Sequence, residues 1–157
     1  IRAVASRCSV SAGTIYNYYE SKADLLNDTI ESIWHEIFFH PEDEQIFHDV
    51  ESCISWIYER LEYGNRQFPG FFSLHSFGFM RDEKTSGKKR MMKTWGHILN
   101  GLCEVLGNDP KVRADVFDQE FTEKKFADIL FSLILVSMIR QDYDPSSVLM
   151  LVKKTLY

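Results

Sequence analysis

Apolar residues recur at intervals of three and four along nearly the whole chain, and no stretch alternates with the period of two that a half-buried strand needs. The pattern predicts helix after helix, an all-α fold. Residues 1–8 read as a short amphipathic helix, with Ser9 and Val10 in a turn. Ser11 is placed to cap a second short helix reaching about Tyr19. Ser21-Lys22-Ala23-Asp24 has the form of a capping box, with Asp24 expected to reach back to the Ser21 amide. It opens a longer helix through Leu25, Leu26, Ile30, Ile33, Trp34 and Ile37.

Pro41, followed by Glu42, Asp43 and Glu44, predicts the start of another helix, because proline suits the first turn and acids complement the positive end of the dipole. Ile46, Val50, Cys53, Ile54, Ile57 and Leu61 give that helix one buried face. Gly64-Asn65 is expected to weaken its end, and Pro69 to start a helix carrying Phe71, Phe72, Leu74, His75 and Phe79. Residues 81–90, including Gly87 and Lys88-Lys89-Arg90, read as a polar loop. Met91, Trp95, Ile98, Leu99, Leu102 and Leu106 form the next apolar stripe, which Gly107-Asn108-Asp109-Pro110 terminates. Residues 119–139 become apolar nearly all round after Phe126, which implies burial on several sides. Asp144-Pro145 caps a last helix with Val148, Leu149, Leu151, Val152 and Leu156 inside it.

Composition fits a packed protein: 45% of the 157 residues are hydrophobic and 14% aromatic, too many for a disordered chain. The longest apolar run, residues 127–139, contains Asp128 and is too short to span a bilayer. No signal peptide opens the sequence, so a cytoplasmic location is the default, with no membrane partner. Cys8, Cys53 and Cys103 form neither a CxxC pair nor a zinc spacing, and each reads as a buried, inert thiol. Ile1 falls inside a predicted helix, so the sequence reads as the remainder of a longer chain.

The net charge of −5 argues against nucleic acid until its distribution is considered. Residues 1–22 carry Arg2, Arg7 and Lys22 against Glu20, a balance of +2, which leaves −7 on the rest. An acidic body with one small basic end admits DNA at that end only.

The same end carries the sharpest signal, Val4-Ala5-Ser-Arg-Cys-Ser-Val10-Ser11-Ala-Gly-Thr14-Ile-Tyr16-Asn-Tyr18-Tyr-Glu-Ser-Lys22-Ala-Asp-Leu-Leu26. Ala5 is small where two helices must cross closely, and Val4, Val10 and Ile15 are expected to fill a miniature core between them. Ile15 and Tyr19, four apart, share the inward face of the second helix. Thr14, Tyr16, Asn17 and Tyr18 then face outward, offering hydroxyls, an amide and aromatic edges to bases, thymine methyls and phosphates. Lys22, beside the helix start that Ser11's counterpart Ser21 caps, suits a phosphate.

The segment resembles the helix-turn-helix signature of the TetR/AcrR family of transcriptional regulators: Ile-Ala, a turn ending in Val-Ser, Gly-Thr-Leu-Tyr, an aromatic, then Ser-Lys and Leu-Leu. The match covers about 26 residues, and the remainder agrees in helix order and length only. It implies a DNA-binding domain at residues 1–26 and a helical-bundle effector-binding and dimerisation domain at 27–157. By resemblance, Thr14, Tyr18 and Lys22 match positions that hold the DNA backbone, and Arg2, Ala12, Gly13 and Tyr16 match positions that meet bases or sugars. Ser11 and Asn17 complete the DNA-binding set. One departure stands out: the family usually has Ala-Gly in the turn, where this chain has Cys8-Ser9, so a serine must accept a glycine's conformation at a cost of roughly 1 kcal/mol.

The resemblance further implies a homodimer at a near-palindromic double-stranded operator, with residues 119–139 and 145–156 forming a four-helix interface and the helix from Asp24 transmitting motion. Phe131, Leu135, Met138, Leu149 and Val152 are the residues expected to cross to the partner. A small, mostly apolar effector is expected between Trp56, Phe71, His75, Phe79, Met91 and Trp95, with His75 as its polar contact and no buried cation to pair an anion. A solid aromatic core is the competing expectation for those residues. His35, His40, His48, His75 and His97 have no metal-ligand spacing, and neither a metal nor a cofactor is implied.

The function expected is therefore a sequence-specific regulator, a repressor released by its effector. The alternatives are an activator, a regulator answering to a protein partner, and a helical dimerisation scaffold without DNA binding. A helical enzyme is disfavoured, because no nucleophile–base pair, metal motif or phosphate loop is present.

Overall fold

A computed structural model describes residues 1–39, 47–73 and 86–157, with the side chains of 86–94 left aside. The described residues are helical or in turns, with no strand among them. They divide into two compact units, Ile1–Phe39 and His40–Tyr157.

The first unit holds α1 (Arg2–Arg7), α2 (Ala12–Tyr16) and α3 (Lys22–Phe38). Ala5 is 3% exposed, as a close crossing requires. The expected miniature core is otherwise incomplete: Val4 and Val10 keep 45% and 41% of their surface in solvent, and Ile15 is half-buried. Helices of six and five residues offer too little area to close over branched side chains.

The second unit is built from α4 (Val50–Gln67), α5 (Ser86–Asn108), α6 (Glu123–Arg140) and α7 (Ser146–Leu156). Within it α4 packs on α5 and on α7, and α5 packs on α6. Cys53, Ile54, Ile57 and Leu61 of α4 meet a core completed by Leu102, Leu106, Leu130, Ile134 and Leu156, all buried.

The expected Pro41 start lies outside the described residues, yet the α-helix carrying Val50 to Leu61 begins at Val50 itself. The Asp49 carboxylate accepts from the Ser52 amide at 2.8 Å and supplies the cap. Nor does α4 weaken at Gly64-Asn65. Gly64 is buried, so packing overrides its low propensity, and the helix runs to Gln67, where Pro69 two residues on cannot continue it. Residues 86–90, expected in a loop, are the first turn of α5, in keeping with the helix propensity of Lys88, Lys89 and Arg90. The stop at Gly107-Asn108 falls where the sequence places it, and α6 begins at Glu123, capped by Thr122, rather than near residue 119.

The structure moves the surface available to a partner. Met138 is 5% exposed and Val152 fully buried in the chain's own core, so neither can cross to a second copy as expected. Phe131 packs edge-on against Trp95 at 5.6 Å, and Leu135 and Leu149 are half-buried. On α6 and α7 the large apolar side chains left in solvent are Ile129, Val136 and Ile139, and Met150 and Leu151, between 38% and 58% exposed.

Sequence reading also missed Asp109, the buried charged residue among those described, at 5% exposed. Its carboxylate accepts from the Val50 amide (2.9 Å), the Lys111 amide (2.9 Å) and the Tyr157 hydroxyl (2.5 Å). It therefore ties the start of α4 to the end of α7. Burial, then the bond to Asp109, pushes the Tyr157 hydroxyl well above the ordinary tyrosine range.

Candidate nucleic-acid interface

The turn between α1 and α2 is closed by backbone bonds from Ser9 to Ser6 (3.2 Å) and from Val10 to Ala5 (3.0 Å). Closing it puts Ser9 at φ 55, the left-handed region expected from its place in the motif. Ser11 is then extended and caps α2, its Oγ accepting from the Thr14 amide at 3.0 Å and pairing with Thr14 Oγ1 at 2.9 Å. The α-helix stops at Tyr16, short of Tyr19, but the Tyr18 and Tyr19 amides both bond to the Ile15 carbonyl at 3.0 Å, so the chain turns on as one body.

Ser21 caps α3 by accepting from the Asp24 amide at 3.2 Å. The return bond differs from expectation: the Asp24 carboxylate takes the Ser21 hydroxyl at 2.8 Å, not the Ser21 amide. Lys22 follows as the first residue of α3 and is exposed.

The cap and the turn leave polar side chains on α2 and in the turn that follows it in solvent. Thr14, Tyr16, Asn17 and Tyr18 are exposed, Tyr18 at 81% and Tyr16 at 54%. Arg2 at the start of α1, Ser11 and Gly13 are exposed as well, and Ala12 is half-buried. A tyrosine ring in this position presents an apolar body with a polar hydroxyl tip to solvent.

This arrangement has a counterpart among known proteins. Residues 1–29 match the family model described as bacterial regulatory proteins, tetR family. The chain carries a TetR-family DNA-binding domain. In coarse terms it is a DNA-binding transcriptional regulator, and the matched residues span α1, α2 and the start of α3. No curated protein and no solved structure matches the chain.

The residues expected around an effector are described only in part. Trp56 is buried and meets Phe47 edge-on at 5.1 Å, Phe71 is buried beside Phe72 at 5.5 Å, and Trp95 is half-buried against Phe131. His75, Phe79 and the Met91 side chain lie outside the described residues. Among the thiols, Cys53 is buried and pushed up to about 12 by desolvation, Cys103 is partly buried, and Cys8 is exposed, contrary to the expectation that all three are buried. Among the described residues, no group of three or more His, Cys, Asp and Glu could hold a metal ion, and no helix is long and apolar enough to cross a membrane.

Proposed function

We propose that the chain reads a near-palindromic operator as a homodimer, and represses transcription until a small, mostly apolar effector releases it. The observation that carries the DNA reading is the uncovered polar face of α2. Tyr16 would meet base edges and thymine methyls, with Arg2, Ala12, Gly13 and Asn17 beside it. Ser11, Thr14, Tyr18 and Lys22 would hold phosphates. Gly13 supports this assignment. Among the described residues a Cβ added there meets only Ser11 Oγ, at an ordinary 3.6 Å, so none of them requires glycine there. A glycine in a helix is unfavourable by roughly 0.5–1 kcal/mol relative to alanine, and close approach by an outside backbone is a sufficient reason for it.

Ile129, Val136 and Ile139 of α6, with Met150 and Leu151 of α7, support the dimer as its apolar contact. The buried or half-buried Trp56, Phe71 and Trp95 favour an apolar effector, since no lysine or arginine is buried among the described residues to pair an anion. Release would need a coupling of about 1–3 kcal/mol between the two sites.

Selection from a pool of randomised DNA duplexes tests this reading. The full chain is expected to enrich a sequence with two inverted half-sites about one helical turn (~34 Å) apart. Enrichment of no sequence over the starting pool would overturn it.

A further inference from the structure

Tyr19 enters the sequence pattern only as an inward ring beside Ile15, but its hydroxyl has a separate role. It donates to Asp28 Oδ2 at 2.6 Å, within the roughly 2.5–2.7 Å of a charge-assisted O–H···O⁻ bond. The two ends of this bond belong to different elements. Tyr19 is fastened to the recognition helix through its amide on the Ile15 carbonyl, and Asp28 stands in the second turn of α3. Between them the chain bends at Glu20 and at Ser21, whose carbonyl accepts the first helical bond of α3 from the Leu25 amide at 3.3 Å, a joint that would otherwise let α2 tilt against α3.

We propose that Tyr19 and Asp28 form a strut that sets the angle between α2 and α3, and thereby the placement of Tyr16 relative to Lys22. Both are positioning residues. Neither needs to touch DNA for the register between a base-reading side chain and a phosphate-holding one to depend on them. A phenylalanine at position 19 would keep the ring and lose the strut. An asparagine at position 28 would keep an acceptor for the hydroxyl. The bond to Asp28, ahead of desolvation and the carboxylate's charge, also raises the ionisation of the Tyr19 phenol above its ordinary range, which gives the strut a signature independent of DNA.

The inference rests on the DNA reading, so the experiment separates the two. Binding of the full chain to the selected duplex and to a random duplex is compared for wild type, Tyr19→Phe, Asp28→Ala, Asp28→Asn and the Tyr19→Phe/Asp28→Ala double variant. Each disrupting single variant is expected to lose about three- to tenfold in affinity for the selected duplex, the scale of one exposed charge-assisted bond, with random-duplex binding unchanged. The double variant should be no worse than either single, and Asp28→Asn should stay near wild type. By NMR, the Tyr19 ring carbon bearing the hydroxyl should titrate above the ordinary tyrosine range in wild type and fall back towards it in Asp28→Ala. Additive losses, equal losses on both duplexes, or an ordinary Tyr19 titration in wild type would each overturn the strut while leaving the DNA reading standing. A wild-type chain that fails to distinguish the two duplexes would overturn the DNA reading, and the strut's role with it.

Discussion

Asp109→Ala is expected to destabilise the second unit by about 2–4 kcal/mol, because it leaves three donors without their acceptor. The Val50 amide is one of the orphan donors at the start of α4, and the Asp109 carboxylate accepts it at 2.9 Å. The Tyr157 hydroxyl closes the far end of α7 onto the same carboxylate, and Arg113 binds the Thr155 and Leu156 carbonyls beside it at 3.1 and 2.9 Å. Losing Asp109 therefore loosens two helix ends at once. In a melt followed by circular dichroism the midpoint should fall by on the order of 10 °C. The neighbouring ion pair of Lys111 with Asp49, at 3.1 Å, is a control: with the lysine 57% exposed, Lys111→Ala should change stability little. Equal melting of Asp109→Ala and wild type would show that the carboxylate does not bind the unit together.

The second large effect concerns assembly. Val136 is 46% exposed in the C-terminal half of α6, between Ile129 and Ile139 on one helix side. Val136→Glu leaves the folded chain intact, because the side chain is in water and glutamate is the better helix former. In the proposed dimer the same carboxylate would be buried against apolar side chains with no partner, a penalty of several kcal/mol counted from both copies. Light scattering should show the wild type as a dimer at micromolar concentration and Val136→Glu as a folded monomer. An interface of more than about 1,200 Å² would be lost, and with it the tenfold or greater gain that two linked reading heads give at the operator. Met138→Glu cannot serve in its place, since Met138 is core and the variant would unfold the chain. A Val136→Glu chain that remains a dimer would remove this face from the interface.

What was legible in the sequence was local. Ser11, Ser21 and the Gly107-Asn108 stop act on backbone groups within a few residues of themselves, so their roles can be read without a fold. Ser9 was legible for the same reason: a turn that usually takes glycine needs a left-handed residue whatever occupies it. The misses were long-range. Asp109 lies 59 residues from Val50 and 48 from Tyr157, and before folding it looks like one more polar residue in a helix-stopping turn. Likewise, α6 is apolar on nearly every side, so its pattern cannot say which stripe meets its own core and which is left for a partner. Met138 and Val136, two residues apart, fall on opposite sides of that line. Gly64 shows the reverse case, a weak helix former kept helical by burial that no local rule anticipates. The exposure of Thr14, Tyr16, Asn17 and Tyr18 was legible because Ile15 and Tyr19, four apart, set the inward side of a short helix and leave the others to water.

The most direct test of the central claim is the salt dependence of operator binding for wild type, Tyr16→Ala and Lys22→Ala, measured by fluorescence anisotropy on the selected duplex and a random one. Tyr16→Ala is expected to lose about 1–3 kcal/mol on the selected duplex, to keep its weak random-duplex binding, and to retain the wild-type salt slope. Lys22→Ala should weaken both duplexes alike and reduce the slope of log K against log salt by about one counterion per protomer. Wild-type affinity and wild-type salt slope in both variants would contradict the assignment of DNA reading to the face formed by α2 and the start of α3.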